Sequence, residues 1–358
     1  MGSLVGAELA SARVTCNLTK AEAGAAAPPF LNFETMKTLR FTQPGPPAEV
    51  LQLTDADLPQ PGPGEVRLRV LAAPINPSDL MFVQNQYGIR PQLPSGAGFE
   101  GVGVVDALGE GVTLPVGQRV SFTTVGSWSE YAVAPARALV PVPDGVSDEA
   151  AAQLFVNPFT AYAMIRESGV QPGDWLMLTA AASAFGKLVI QFAKQRSIRT
   201  IGTVRRPDFI EELKALGADE IIDVSQESVT RRVKEITNGQ GVGCILEAVA
   251  GKPAAQVLPC LRNGGTMLVY GALSLEEMPI NAGLLIFKGI AVKGFWLTTY
   301  MREASPEARR EVAETVLTNL ASGTIHLPVE ATYSLEHIAE AVRHAEREGR
   351  GGKILVKP

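Results

Sequence analysis

The residues between Trp175 and Gln195 carry the clearest chemical signature in the chain. A short apolar run, Trp175-Leu-Met-Leu-Thr179, leads into Ala180-Ala181-Ala182-Ser183-Ala184-Phe185-Gly186 and then into the helical pattern KLVIQFAKQ. In the register Ala181-x-Ser183-x-x-Gly186, small residues fall where a backbone must turn tightly, approach a pyrophosphate and pack helix on strand. Backbone N–H groups at such a helix start attract phosphate. Two of the usual three glycines are replaced, so the turn alone is also compatible with an ordinary strand-to-helix connection. The next strand ends at Val204, where an NAD site would carry an acid to accept from the ribose 2′-hydroxyl. This chain has Arg205 and Arg206 there. Two guanidiniums suit a 2′-phosphate through charge-assisted, bidentate hydrogen bonds, which favours NADPH over NADH. A solvated basic pair is the alternative, and the missing acid speaks against it. A literal G-x-G-x-x-G at Gly96-Ala97-Gly98-Phe99-Glu100-Gly101 is rejected, because it follows a proline-rich loop and leads into the strand-like GVGVV rather than a helix.

Other chemistries are constrained by residue supply. The three histidines, His326, His337 and His344, fall in the last tenth of the 358 residues. No Cys or His group has zinc-ligand spacing, so no metal site is expected. Cys16, Cys244 and Cys260 are an odd count in a long chain, which implies no disulfide framework and fits a reducing, cytoplasmic setting. With 32 Lys+Arg against 37 Asp+Glu the net charge is −5, so nucleic acid is not an expected partner. No window is apolar over the roughly 18 residues that a membrane span needs, and no membrane partner is expected either.

These residues need elements to position them. The chain is long for one domain and suits two, and its 46% hydrophobic content supplies ample core. Residues 1–36 lack periodicity and are expected to be a disordered leader, a mis-assigned start or added sequence. Glu8, Glu22 and Glu34 argue against a presequence, though one would put the chain in the mitochondrial matrix. From Lys37 to Pro143 short strand-like runs (KTLRF, EVLQL, GEVRLRVLAAPIN, GVGVVDALG, QRVSFTTV, SEYAVAP, ALVPV) alternate with prolines and glycines. That punctuation predicts an antiparallel, partly closed β-domain. After Asp148 strands and helices alternate: strands at 175–179, 200–204, 220–223, 244–248, 266–271 and 290–295, helices at 186–196, 209–216, 229–237 and 254–261. Apolar strands separated by helices specify a parallel sheet covered on both faces. Helix 306–321, strand 329–333, helix 336–346 and strand 353–357 then return to complete the first domain. The expected fold is α/β: a doubly wound Rossmann domain (159–298) inserted in a β-rich, GroES-like catalytic domain (37–158 and 299–358).

This pattern resembles the medium-chain dehydrogenase/reductase superfamily over essentially everything after Met36. Zinc-dependent members carry Cys in a Cys-x-Ser-Asp-like motif and His in Gly-His-Glu; the matching segments here read Asn76-Pro77-Ser78-Asp79 and Gly98-Phe99-Glu100. Among zinc-free members, the segments NPSDLMFVQNQYGIRPQLP, VNPFTAY, TVRRPD, VYGAL, FKGIAVKGFWL and GGKILV resemble those of trans-2-enoyl thioester reductases of the mitochondrial type. The resemblance implies Tyr87 as the catalytic tyrosine. It implies NADPH contacts from Asn157, Thr160, Ala182, Ser183, Ala184, Phe185, Gly186, Arg205, Arg206, Tyr270, Gly271, Phe295, Trp296, Leu297 and Lys353. A hydride given to the β-carbon of an enoyl thioester pushes charge onto the carbonyl oxygen and leaves the α-carbon needing a proton; a neutral phenol can serve both.

Plainer roles compete. Tyr87 could pack under its loop, Phe295 and Trp296 could be core, Asn157 and Thr160 could cap a helix near Pro158, and Lys353 could be a surface charge. Two departures from the reductase pattern, Phe185 in the phosphate turn and Phe99 before Glu100, bear on the pyrophosphate floor and on the substrate. A quinone oxidoreductase of the same superfamily, or a non-catalytic NADPH-binding protein, are the alternative functions. The resemblance also implies a homodimer through the edge near 290–295. An acyl-carrier protein as partner would need a basic patch, for which Arg302, Arg309 and Arg310 are candidates.

Overall fold

The computed structural model describes residues 34–358. The expected leader lies outside them except at its end, where strand β1 (Thr35–Phe41) begins two residues earlier than the sequence reading placed it, because Met36 is already a buried member of the strand. β1 lies between β2 (Gln52–Asp57) and β4 (Ser95–Gly96) in a small antiparallel sheet. The EVLQL run is not one strand. Pro47 seeds a single helical turn, α1 (Pro47–Val50), and the chain extends only from Gln52.

A larger sheet combines β3 (Glu65–Pro74), β5 (Glu100–Leu108), β6 (Arg119–Thr123), β7 (Tyr131–Pro135) and β8 (Val140–Pro141). Its other end is made by the last segments of the chain, β15 (Val329–Ser334) and β16 (Lys353–Lys357), with β16 pairing antiparallel to β3 through Leu355–Pro74 and Val356–Ala73. Its inward residues, among them Val66, Leu68, Val120 and Phe122, are fully buried and form a core of their own. Between β3 and β4 a short helix, α2 (Pro77–Val83), was not anticipated; Pro77 at its first position and Asp79 at its third supply the start signal.

After α3 (Asp148–Ala152), a π-helical turn Phe155–Phe159 runs into α4 (Thr160–Glu167). Six parallel strands follow: β9 (Trp175–Leu178), β10 (Arg199–Val204), β11 (Glu220–Asp223), β12 (Val242–Glu247), β13 (Leu261–Val269) and β14 (Ala291–Gly294). Their order is β11-β10-β9-β12-β13-β14, so the winding reverses between β9 and β12 and leaves a crevice at the carboxyl ends of those strands. Helices α5 (Ala184–Gln195), α6 (Ile210–Leu216), α7 (Val229–Ile236) and α8 (Gly251–Val257) connect the strands. Leu176, Leu178, Leu188, Val189 and Phe192 are buried between the sheet and α5. Helices α9 (Ala282–Lys288), α10 (Leu297–Glu303), α11 (Pro306–Ala321) and α12 (Ile338–Glu346) complete the chain. Among the described residues no helix is long and apolar enough to cross a membrane.

Candidate active site

The crevice is built from strand ends. β9 delivers the turn Thr179–Ser183, and Ser183 caps α5 by accepting the Gly186 N–H at 3.0 Å. A Cβ on Gly186 would lie 2.5 Å from the Ala181 carbonyl oxygen, so the helix reaches its closest approach to the strand only because this residue has none. Ala182, Ser183 and Ala184 remain half-exposed at the mouth of the turn. The Phe185 ring is buried and packs against Tyr270, centroids 4.3 Å apart. Tyr270 and Gly271 follow β13, and Gly271 packs on Ala248 so closely that a Cβ would sit 2.6 Å from its carbonyl oxygen. Beneath them the buried carboxylate of Glu247 accepts from Thr179 Oγ1 at 3.2 Å and from the backbone N–H groups of Val249 and Ala250 at 2.8 and 2.9 Å. Arg205 and Arg206 emerge exposed from the end of β10.

On the facing wall, Tyr87 lies in the loop after α2. Its ring packs against Phe99 at 5.4 Å and edge-on to Trp296 at 5.9 Å. Trp296 Nε1 donates to the Tyr87 oxygen at 2.8 Å, joining residues 209 positions apart. Packing and hydrogen bonding therefore both hold the ring; the indole takes a lone pair and leaves the phenolic O–H free to donate outward. Burial raises the Tyr87 pKa above its usual value, aided by the nearby Asp79 and opposed by the indole N–H. Gly88 lets the indole close over the loop, since a Cβ there would stand 3.3 Å from the ring. Phe295 stacks with Tyr300 at 5.5 Å and, with Leu297, packs into the neighbouring core, while Trp296 between them faces Tyr87.

Lys353 is no surface charge. It is 4% exposed and donates to Asn76 Oδ1. Asn76 Nδ2 donates to Glu100 at 2.8 Å, and the Asp79 carboxylate accepts the Asn76 N–H at 2.7 Å. The second oxygen of Glu100 accepts from the N–H groups of Phe155 and Val156 at 2.9 and 3.0 Å, which fixes the π-helical turn that carries Asn157. Asn157 and Thr160 do not cap α4, which has no side-chain cap; both are half-exposed. Burial pushes Asp79 up to about 8 and Lys353 down to about 8, with the cation and the two carboxylates partly offsetting one another; Glu100 is likewise raised by burial.

Asn76, Asp79 and Glu100 entered the sequence reading only as replacements of a zinc motif. The signal available for more was polar: Glu100 stands directly before the apolar run GVGVV, and such a residue is buried only when paired. Asn76 and Phe99 stand where the zinc-dependent pattern has Cys and His, and neither is a ligand of that kind. Among the described residues no group of three or more His, Cys, Asp or Glu side chains is placed to hold a metal. Cys244 and Cys260 are free and buried. Of the candidate basic residues, Arg302 pairs with Glu303 at 3.1 Å and Arg309 donates to the Met301 carbonyl at 3.1 Å.

Comparison with known proteins bears on this geometry. Residues 62–144 match the family described as alcohol dehydrogenase GroES-like domain, and residues 184–314 the one described as zinc-binding dehydrogenase. The chain is 34% identical over 318 residues to the mitochondrial enoyl-acyl-carrier-protein reductase of Homo sapiens, covering 86% of this chain and 84% of that one. It is 36% identical to the protein of the same name from Caenorhabditis elegans, covering 83% and 88% of the two chains. Among solved structures, a quinone oxidoreductase from Pseudomonas syringae pv. Tomato is similar with a TM-score of 0.83 at 33% identity, over 90% of this chain and 100% of that one. The Escherichia coli quinone oxidoreductase complexed with NADPH has a TM-score of 0.83 at 28% identity, with the same coverage.

Proposed function

Because the chain belongs to the medium-chain dehydrogenase/reductase superfamily, a superfamily of oxidoreductases, we propose that it reduces the C=C bond of a 2-enoyl thioester with NADPH. The observation that carries this reading is the Tyr87 phenol, fixed by Trp296 at 2.8 Å with its own proton free.

The cofactor crevice fits a dinucleotide. Gly186 permits the close turn, the start of the 12-residue helix α5 offers N–H groups, and two exposed guanidiniums stand at the end of β10 in the place where an NAD site carries an acid. Ala182 to Gly186 would hold the pyrophosphate, Arg205 and Arg206 the 2′-phosphate, and Asn157, Thr160, Tyr270, Gly271 and Phe295 to Leu297 the nicotinamide half. When bound, NADPH supplies a hydride to the substrate β-carbon. The protein meets the remaining demands. Tyr87 donates a hydrogen bond to the carbonyl oxygen as it gains charge, and its proton is available for the α-carbon. Trp296 and Phe99 keep the phenol from rotating away. Lys353, Asn76 and Glu100 form the floor that ties the Asn157 turn to the Tyr87 wall; in this role Lys353 acts on the cofactor site from beneath.

The solved quinone oxidoreductases of similar fold favour a second reading, an NADPH:quinone reductase. A quinone needs no placed phenol proton at carbon, so Tyr87 separates the two. We also infer a homodimer through β14, which is the edge of its sheet and has the strongly exposed Ile286 (70%) and Phe287 (85%) on the adjoining helix. We propose a location in the cytoplasm, or in the mitochondrial matrix if residues 1–36 serve as a presequence. The test is NADPH oxidation with 2-enoyl-CoA thioesters of two chain lengths and with 1,4-benzoquinone. Saturated thioester as the product supports the proposal; turnover of the quinone alone replaces it with the second reading.

A further inference from the structure

Three cations of the parallel-sheet region meet one loop of the chain's C-terminal return. That loop, residues 347–352, joins α12 to β16. Lys187 on α5, 2% exposed, donates to the Gly351 carbonyl at 3.1 Å and pairs with Glu212 at 2.6 Å. The Arg206 guanidinium lies against Gly349, where a side chain would collide with it. Arg205 Nη2 pairs with Glu348 at 3.0 Å. From the other side, Glu330 accepts the N–H groups of Gly351 and Gly352 at 2.5 and 3.3 Å, and Arg350 closes the loop on the Arg347 carbonyl at 3.0 Å. The loop is thus anchored on either side of Glu348.

This placement answers a gap in the cofactor site. The end of β10 lacks the acid that accepts from a ribose 2′-hydroxyl, yet a carboxylate stands at the guanidinium of Arg205, the first residue past that strand, contributed from a position 143 residues further along the chain. Resting on the NADPH reading above, we propose that Glu348 is a specificity-determining residue of the cofactor site. It competes with a 2′-phosphate for Arg205, and it supplies to a 2′-hydroxyl cofactor the acceptor that β10 does not. NADPH must displace Glu348 from the guanidinium; NADH leaves that pair intact and can donate to it. The site is therefore less selective for NADPH than two free arginines would be. The magnitude is bounded by exposure: both partners are mostly solvent-accessible, 75% and 66%, and exposed pairs are worth up to about fivefold in an equilibrium constant.

The test is calorimetric titration of the full chain with NADPH and with NADH, in wild type, Glu348→Gln and Glu346→Gln. Glu346 is an exposed carboxylate at the end of α12 and controls for net charge. We expect Glu348→Gln to raise the preference for NADPH about two- to fivefold, through tighter NADPH and no gain for NADH, with the gain shrinking at high salt. Glu346→Gln should leave the preference within a factor of about 1.5 of wild type on the same exposed-charge scale. A Glu348→Gln chain whose preference equals that of wild type, or of Glu346→Gln, overturns the inference while leaving NADPH binding in place. A wild-type chain that binds neither dinucleotide contradicts the cofactor reading and removes the inference with it.

Discussion

At Tyr87 two influences on one phenol oppose each other. Burial lifts its pKa above the usual value of about 10 and the Trp296 N–H draws it back. The phenol is the active form, so activity is present at neutral pH and is lost as pH rises through the folded-state pKa. Trp296→Phe removes the stabiliser of the phenolate, so the alkaline limb of the rate profile should move to higher pH, while the loss of orientation lowers the neutral-pH rate by up to about tenfold. Because the indole also shields the phenol, a limb that moves to lower pH would show that lost burial outweighs the lost hydrogen bond, and would contradict the indole N–H as the dominant influence of Trp296 on the phenol. Little of this was legible beforehand. Tyr87 was singled out by resemblance alone, and its bond to Trp296 spans 209 residues, a separation that no local pattern encodes. Arg205 and Arg206 were legible because the residue after a second strand has one consistent place at the crevice. Glu348 was not, since it reaches the same place from a loop between unrelated elements.

Helix α5 and the strand before it were readable because a four-residue apolar run, a small-residue turn and a 3.6-residue periodicity agree. Two substitutions separate what the turn does. Ser183→Ala removes a cap and should cost about 1 kcal/mol of stability. Gly186→Ala drives a Cβ against the Ala181 backbone, 2.5 Å from its oxygen, where nothing flexible can yield; a larger loss, about 2–3 kcal/mol, is expected, with weaker NADPH binding. Thermal denaturation and titration check both, and equal losses would contradict the close-packing role. The helix α2, in contrast, was missed because its seven residues are too few for a periodic signal, and EVLQL was misread because alternation over five residues does not see Pro47. The buried network anchored at α2, β5 and β16 carries a pH signature of its own. The folded pKa of Asp79, about 8, exceeds its unfolded value near 3.9. Its contribution to stability is thus fully present below about pH 4 and is lost as pH rises toward 8. Asp79→Asn abolishes that titration, so the melting temperature of the variant relative to wild type should rise between pH 5 and pH 8. A constant difference across that range would mean that Asp79 is ionised when folded.

Across the whole molecule, the alternation of strands and helices after Asp148 announced the parallel sheet, since only a sheet buried on both faces asks for strands this apolar. The pairing of β16 with β3 required knowing which distant strand would accept the chain's end, and only the structure shows that register. The sheet edge at β14 and the exposed Phe287 lead to one assembly prediction: if the proposed homodimer forms through this edge, light scattering should give a dimer for wild type and a monomer for Phe287→Glu, and a wild type that is itself monomeric would contradict that interface. The reaction is tested most directly by comparing wild type with Tyr87→Phe for NADPH oxidation against a 2-enoyl-CoA and 1,4-benzoquinone in parallel. We expect wild-type enoyl turnover to fall about 100-fold or more in the variant with NADPH affinity retained. Enoyl turnover indifferent to the loss of the hydroxyl, or turnover of quinone alone in both proteins, would contradict a proton-donating Tyr87 and the enoyl thioester reductase built on it.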